Sequence, residues 1–233
     1  MKLSIDSSVF KIDENIKLGI NHYTKFVVSE APQMLKGRMQ LFQENLFFDL
    51  QDKGLTDYEG ISEWRTVWKK FGADSSRHRP SMEAMIRRIR NQNYLQPVNG
   101  AVDINNFFSL QYEIPVGLYD CSKIDGNVEL HVGNNETSYM GINGRHNTLK
   151  GILTLSDSIG PFGSPYVDSL RTSINERSTE AFQIFFFKPS MKISDAEQLL
   201  DSAGRMFVQV NGGDCTSHIL NKQQVTTSIT FNE

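Results

Sequence analysis

The residues best suited to chemistry fall in two runs. The first is Asn99-Gly100-Ala101-Val102-Asp103-Ile104-Asn105-Asn106-Phe107-Phe108, followed by Ile114-Pro115-Val116-Gly117-Leu118-Tyr119-Asp120. A carboxylate and amides set inside an apolar frame must be hydrogen-bonded to offset their desolvation. Such groups either orient a polar ligand or brace the fold. Pro115 and Gly117 are expected to fix a turn where backbone can approach a ligand closely. Asp103 and Asn106 can equally cap a helix and brace that turn, and both roles stay open.

The second run is cationic. From Arg65 to Arg90 there are eight Lys/Arg against Asp74 and Glu83, a local charge of +6 in a chain whose formal net charge is −3. The overall charge therefore gives no argument for nucleic acid, but its distribution does. Arg77, Arg79, Arg87, Arg88 and Arg90 are the candidate nucleic-acid contacts, because guanidinium groups grip phosphates bidentately and give salt-dependent affinity. Trp64 and Trp68 in the same stretch would suit stacking on single-stranded RNA bases. The plainer reading is a pair of core helices with solvated cationic faces, in which Arg79 and Arg87 or Arg88 tie the helix to Glu83 or Asp103.

Other chemistries lack their signatures. There is no GxSxG elbow, no GxxxxGK phosphate loop and no GxGxxG fingerprint. His22, His78, His131, His146 and His218 are scattered, with no HxH or HExxH pair, so neither a metal nor a cofactor is expected. Cys121 and Cys215 read as small buried hydrophobes. The first residues lack an apolar signal-peptide core and no window approaches 18 apolar residues, so the expectation is a cytoplasmic protein without a membrane partner.

The elements that must position these groups follow from periodicity. Residues 16–28 predict one or two short strands. Ser29 to Pro32 predicts a helix start, and Leu35, Met39, Phe42, Leu46 and Leu50 then share one face up to a stop at Gly54. Further helices are expected over 62–71, broken by residues 72–76, over 81–90 with Met82, Met85, Ile86 and Ile89 inward, and over about 104–112, ended by Pro115. Residues 128–132, 151–155, 182–187, 206–210 and 225–231 predict strands. A helix over 194–203 is expected to open on a Ser194/Glu197 capping box and close at Gly204. Helices first and strands later predict an α+β fold with mixed or antiparallel sheets packed against helices.

Val102-Asp103-Ile104-Asn105-Asn106-Phe107 with Pro115-Val116-Gly117-Leu118-Tyr119-Asp120 resembles the B3/B4 domain of the phenylalanyl-tRNA synthetase beta subunit, which carries a Val-Asp-x-x-Asn-Tyr run and then a Pro-x-His-Ala-Phe-Asp run at the same distance. Gly160-Pro161-Phe162-Gly163 is similar to that family's glycine-rich loop. Trp64-Arg65 to Phe71-Gly72 and Arg79-Pro80-Ser81-x-Glu83-x-x-x-Arg87-Arg88 look like free-standing B3/B4 proteins. The resemblance covers roughly residues 60 to 210. It implies a single B3/B4-like domain over 1–233, with 1–60 an N-terminal elaboration and 61–210 the core.

In the synthetase this domain edits tyrosine wrongly attached to the phenylalanine tRNA. The resemblance therefore implies a trans-acting protein that binds or hydrolyses mischarged aminoacyl-tRNA. The expected pocket is Asp103, Asn106, Gly117, Tyr119, Asp120 and Gly163, with Arg171 and Thr172 reaching the same region. Asp103 and Asn106 would orient the aminoacyl group, while Gly117 and Gly163 would leave room for its side chain. Gly117 stands where the family has its editing histidine, and the family's acid falls near Phe185, so no catalytic residue is assigned. The rival readings are a non-catalytic amino-acid or small-molecule binding module on the same fold, and a subunit-interaction domain.

Overall fold

The computed structural model describes residues 1–74 and 77–230. In chain order the elements are β1 (Lys2–Ile5), α1 (Ser7–Ile12), β2 (Leu18–Thr24), α2 (Gln33–Asp52), α3 (Glu59–Phe71), α4 (Ser81–Arg90), α5 (Gly100–Tyr112) and β3 (Val116–Asp120). There follow β4 (Val128–Val132), β5 (Ser138–Met140), β6 (His146–Thr148), β7 (Leu153–Ser156), β8 (Pro161–Gly163), β9 (Glu180–Phe186), α6 (Ile193–Asn211), β10 (Asp214–Leu220) and β11 (Thr226–Ser228). The fold is α+β. One sheet runs β11-β1-β4-β7-β8, a second β10-β2-β9-β3, and β5 pairs with β6. Every pair is antiparallel except β1 with β4.

The four-stranded sheet carries the interior. Helices α5 and α6 pack on one face, where Tyr23 of β2 stacks on Phe207 of α6 with ring centroids 3.7 Å apart. On the opposite face Trp64 of α3 meets Phe186 of β9 edge-on, and Tyr119 of β3 meets Phe162 of β8, joining the two sheets. The face beneath α5 and α6 also holds a chain of polar side chains. Asn105 Nδ2 donates to the Val116 carbonyl and its oxygen accepts from Gln183 Nε2. Gln183 in turn accepts from the Tyr23 hydroxyl at 2.7 Å, and Asn21 Nδ2 donates to that same hydroxyl. Each member has a partner, so a buried network that would be costly half-made instead fixes how α5 sits on the sheet.

Several expected elements differ. Residues 206–210 are not a strand: α6 runs unbroken through Gly204, because Ala196, Leu199, Leu200, Ala203 and Phe207 continue one buried helical face. Gly204 is kept there by packing, since a Cβ would stand 2.9 Å from Cys215 Sγ. The Ser194/Glu197 box does not form, as the N-cap is Lys192. Pro115 and Gly117 do not make a turn; the chain reverses earlier, at Glu113, whose φ of 55° closes α5. Gly117 then lies within β3. The strand expected near 16–28 is β2 alone, and that expected over 225–231 is only Thr226–Ser228, Phe231 lying outside the described residues. Ser75 and Ser76 of the expected helix break also lie outside them.

Candidate ligand cleft

Helix α4 is set against the segment after β8 from its first residue, where the Ser81 amide donates to the Pro165 carbonyl at 2.8 Å. Helix α5 begins with Asn99 as N-cap, its side chain accepting from the Val102 amide. Strand β3 is the edge of its sheet, and residues 168–173 run along it: Tyr119 bridges to Ser173 and the Asp120 amide donates to the Thr172 carbonyl. Between these pieces lies a cleft of about 480 Å³. That volume suits a small ligand or the end of a larger one.

The walls are mostly apolar, with Val102, Val116, Leu118, Met85 and Val167, and Tyr166 supplying an aromatic ring. The polar groups that can turn to a ligand include Asn106, Asn143, Ser164, Asp168 and Arg88. The Asn105 amide is already spent on Val116 and Gln183. The Asn106 amide has no hydrogen-bond partner among the described residues, which leaves it available. Arg88 is exposed at the rim.

Asp168 is the group that sequence reasoning missed. Burial raises its carboxyl from the ordinary value of 3.8 to about 7, although the Tyr119 hydroxyl and the amides of Ser164 and Leu118 pull the other way. Tyr119 donates to Asp168 Oδ1 at 2.6 Å. Asp168 closes the short run Tyr166-Val167-Asp168 just after the Gly-Pro-Phe-Gly loop, and that lone acid among apolar neighbours was the available signal. The position near Phe185, where the family's acid was expected to be missing, is apolar: Phe185 is fully buried and stacks on Phe187.

Of the residues the sequence singled out, only Asn106 and Arg88 line this cleft. Asp103 is buried, accepts from the Val98 amide and lines a neighbouring hollow of about 390 Å³ between α2 and α5, whose wall Asn106 shares. Burial raises the Asp103 carboxyl, against the Val98 amide and the charge of Lys36. The room expected beside Gly117 and Gly163 is filled. A Cβ on either would lie 2.0 or 2.4 Å from the Tyr119 hydroxyl, so both glycines exist to seat that phenol between the sheets. Asp120 is buried as a local brace, accepting from Ser122 and Ser178. Arg171 faces away, bidentate on Asp157 and donating to the Lys123 and Gly160 carbonyls. Thr172 is buried with its hydroxyl unpartnered.

The cationic run also divides. Glu83, buried in α4, accepts two hydrogen bonds from Arg65 and one from Arg87. Burial alone would raise the Glu83 carboxyl; the two guanidiniums more than offset it and hold it lowered. Arg65 thus ties α3 to α4, while Arg87 braces the same carboxylate from one turn along α4. Arg77 pairs loosely with Asp74 at 3.6 Å, and Arg79, Arg88 and Arg90 are exposed with no ion pair among the described residues. Trp64 and Trp68 are buried, and Trp68 Nε1 donates to the His78 carbonyl, so neither can stack on a base. No helix is long and apolar enough to cross a membrane among the described residues.

Several known proteins are similar to this chain. The protein YhzB of Bacillus subtilis is 31% identical over 220 residues, 94% of this chain and 100% of its own length. The phenylalanine–tRNA ligase beta subunits of Paramagnetospirillum magneticum and Fusobacterium nucleatum are each 22% identical, over 54% and 55% of this chain but only 19% of their own length. A crystal structure of an N-terminal fragment of the phenylalanyl-tRNA synthetase beta subunit from Pyrococcus horikoshii aligns with 91% of this chain and 49% of that one, at a TM-score of 0.43 and 12% identity. The B3/4 domain family matches residues 63–206, which takes in α4, α5, β3 and the whole of the cleft between them. This chain therefore belongs to the B3/4 domain family.

Proposed function

We propose that the protein binds the aminoacyl end of a charged tRNA, with the amino-acid side chain in the cleft between α4, α5, β3 and residues 161–174. One observation carries this reading: a largely apolar hollow holds a single carboxyl, the half-buried Asp168, while its mouth carries an exposed arginine, Arg88. An apolar wall with a few convergent polar groups is how small-ligand sites read. Arg88, with Arg90 and Arg79 nearby in sequence, would meet the phosphates of the tRNA end. The relationship to synthetase beta subunits supports a tRNA-linked partner.

A second reading, hydrolysis of the ester in the same cleft, is favoured by Asp168 alone. A carboxyl titrating near neutrality can take the proton of an attacking water. The site that the family gives to histidine is occupied here by Gly117 under the Tyr119 ring, so the water would be held by Asp168 and Asn106 instead.

The test is a fluorescence titration of charged and deacylated tRNA at several salt concentrations. Binding through Arg88 and its neighbours gives tighter binding of the charged form and a log–log salt slope that Arg88→Ala reduces by about 1. A slope near zero, or equal affinity for both tRNA forms, removes the proposal. For hydrolysis, misacylated tRNA is incubated with wild type and Asp168→Asn; equal rates at the buffer blank end that reading.

A further inference from the structure

The hollow of about 390 Å³ between α2 and α5 has no part in the binding proposed above, yet it has the makings of a site. Gln43 of α2 pairs with the Leu95 peptide, accepting from its amide at 2.7 Å and donating to its carbonyl, which fixes the segment carrying Tyr94 and Pro97 as a third wall. Met39, Leu95 and Pro97 give apolar surface, and Tyr94 adds an aromatic ring. Asp103 and Asn106, one turn apart on α5, supply polar groups. Asp103 spends one oxygen on the Val98 amide; its other oxygen, like the Asn106 amide, has no partner among the described residues. Lys36, the other charged residue of the hollow, is paired with Glu30, so the charge left for a ligand is a carboxylate. The α2 wall lies outside residues 63–206, the part matched to the B3/4 family.

Apolar walls with a carboxylate beside a free amide fit a nucleobase that carries an exocyclic amino group next to a ring nitrogen. A carboxylate accepts from such an amino group, an asparagine amide donates to the ring nitrogen, and an aromatic ring stacks on the base. Position selects the base. Asn106 lines the ligand cleft as well, so it forms the ridge between the two hollows. An aminoacyl ester joins its amino acid to the ribose of the last tRNA nucleotide, an adenosine, and the amino acid and the adenine leave that sugar at different carbons. A ribose seated over Asn106 puts the amino acid in the cleft and the adenine against Asp103.

We infer that this second hollow takes the terminal adenine of the tRNA, a base site that rests on the binding proposed for the cleft. Saturation-transfer NMR with adenosine and inosine tests it, at mildly alkaline pH where Asp103 is ionised. Inosine has an oxygen in place of the amino group, and that oxygen would face the carboxylate, so wild type binds adenosine about tenfold tighter or more. Asp103→Asn keeps an acceptor for the Val98 amide and turns the other atom into a donor, which reverses the preference toward inosine. Tyr94→Leu weakens both nucleosides without changing their ratio. Deacylated tRNA displaces adenosine, and the same tRNA trimmed of its last nucleotide does not. Equal affinity for the two nucleosides, or a preference that Asp103→Asn leaves unchanged, overturns the base site and leaves the cleft reading standing. Discrimination between the nucleosides without displacement by intact tRNA overturns the assignment to tRNA, and the cleft reading with it.

Discussion

The Tyr119 hydroxyl donates a 2.6 Å hydrogen bond to Asp168 Oδ1, and Gly117 and Gly163 flank that hydroxyl on two different sheets. The cleft acid is therefore held by a phenol wedged between β3 and β8. The consequence is that changes at the two glycines act on the cleft without lining it.

Gly117→Ala and Gly163→Ala each force a methyl into that phenol. Urea unfolding is expected to show about 1–3 kcal/mol of destabilisation for each, the usual range for overpacking. Tyr119→Phe removes the oxygen that meets the new methyl, so the Gly117→Ala/Tyr119→Phe double variant should lose less than the sum of the two single losses. Two single variants as stable as wild type would mean that the ring has room to move.

Asp168 makes stability depend on pH. Its carboxyl is raised in the folded protein, so between its ordinary value of 3.8 and about 7 the folded state holds a proton that the unfolded state has lost. Stability then falls as pH rises across that window. Asp168→Asn cannot ionise, so thermal unfolding across pH 4 to 8 should show the variant gaining on wild type as pH rises, with the gap levelling above about 7. A constant gap between the two proteins would contradict the burial of this acid.

Arg87 and Arg88 are neighbours in sequence with different expected effects. Arg87→Ala should cost stability, about 1–3 kcal/mol, because it strips a charge-assisted hydrogen bond from buried Glu83. Arg88→Ala should leave stability within about 0.5 kcal/mol, as a surface change does, while weakening tRNA binding. Unfolding curves and a tRNA titration on the same two preparations check both halves.

The buried amide chain gives a further check. Gln183→Leu leaves the Asn105 oxygen without its donor and the Tyr23 hydroxyl without its acceptor in the interior, although Asn21 still donates to that hydroxyl. The expected loss is about 1–3 kcal/mol for each group left unpaired. Asn105→Leu alone and together with Gln183→Leu should be strongly non-additive, since the two amides share a hydrogen bond.

The local periodicities in the sequence were enough to place α4 at Ser81–Arg90 and β4 at Val128–Val132 and to make the chain α+β. Those features depend on which residues repeat every two, three or four positions, and such patterns are local. The cationic run was legible too, and Asn106, singled out in the sequence, lines the cleft. A tie from Arg87 or Arg88 to Glu83 was legible as a local alternative, but the Arg65 contact to Glu83 was not, because that depends on how α3 lies against α4. Gly117 and Gly163, forty-six residues apart, read as space for a ligand side chain until the folded chain brought Tyr119 between them. The acid of the cleft emerged only in three dimensions, since Asp168 has chemical meaning through its burial beside β3 and a tyrosine forty-nine residues away. Composition supplies the groups, but desolvation and contact set their reactivity, and both arise from packing between segments that the linear order keeps apart.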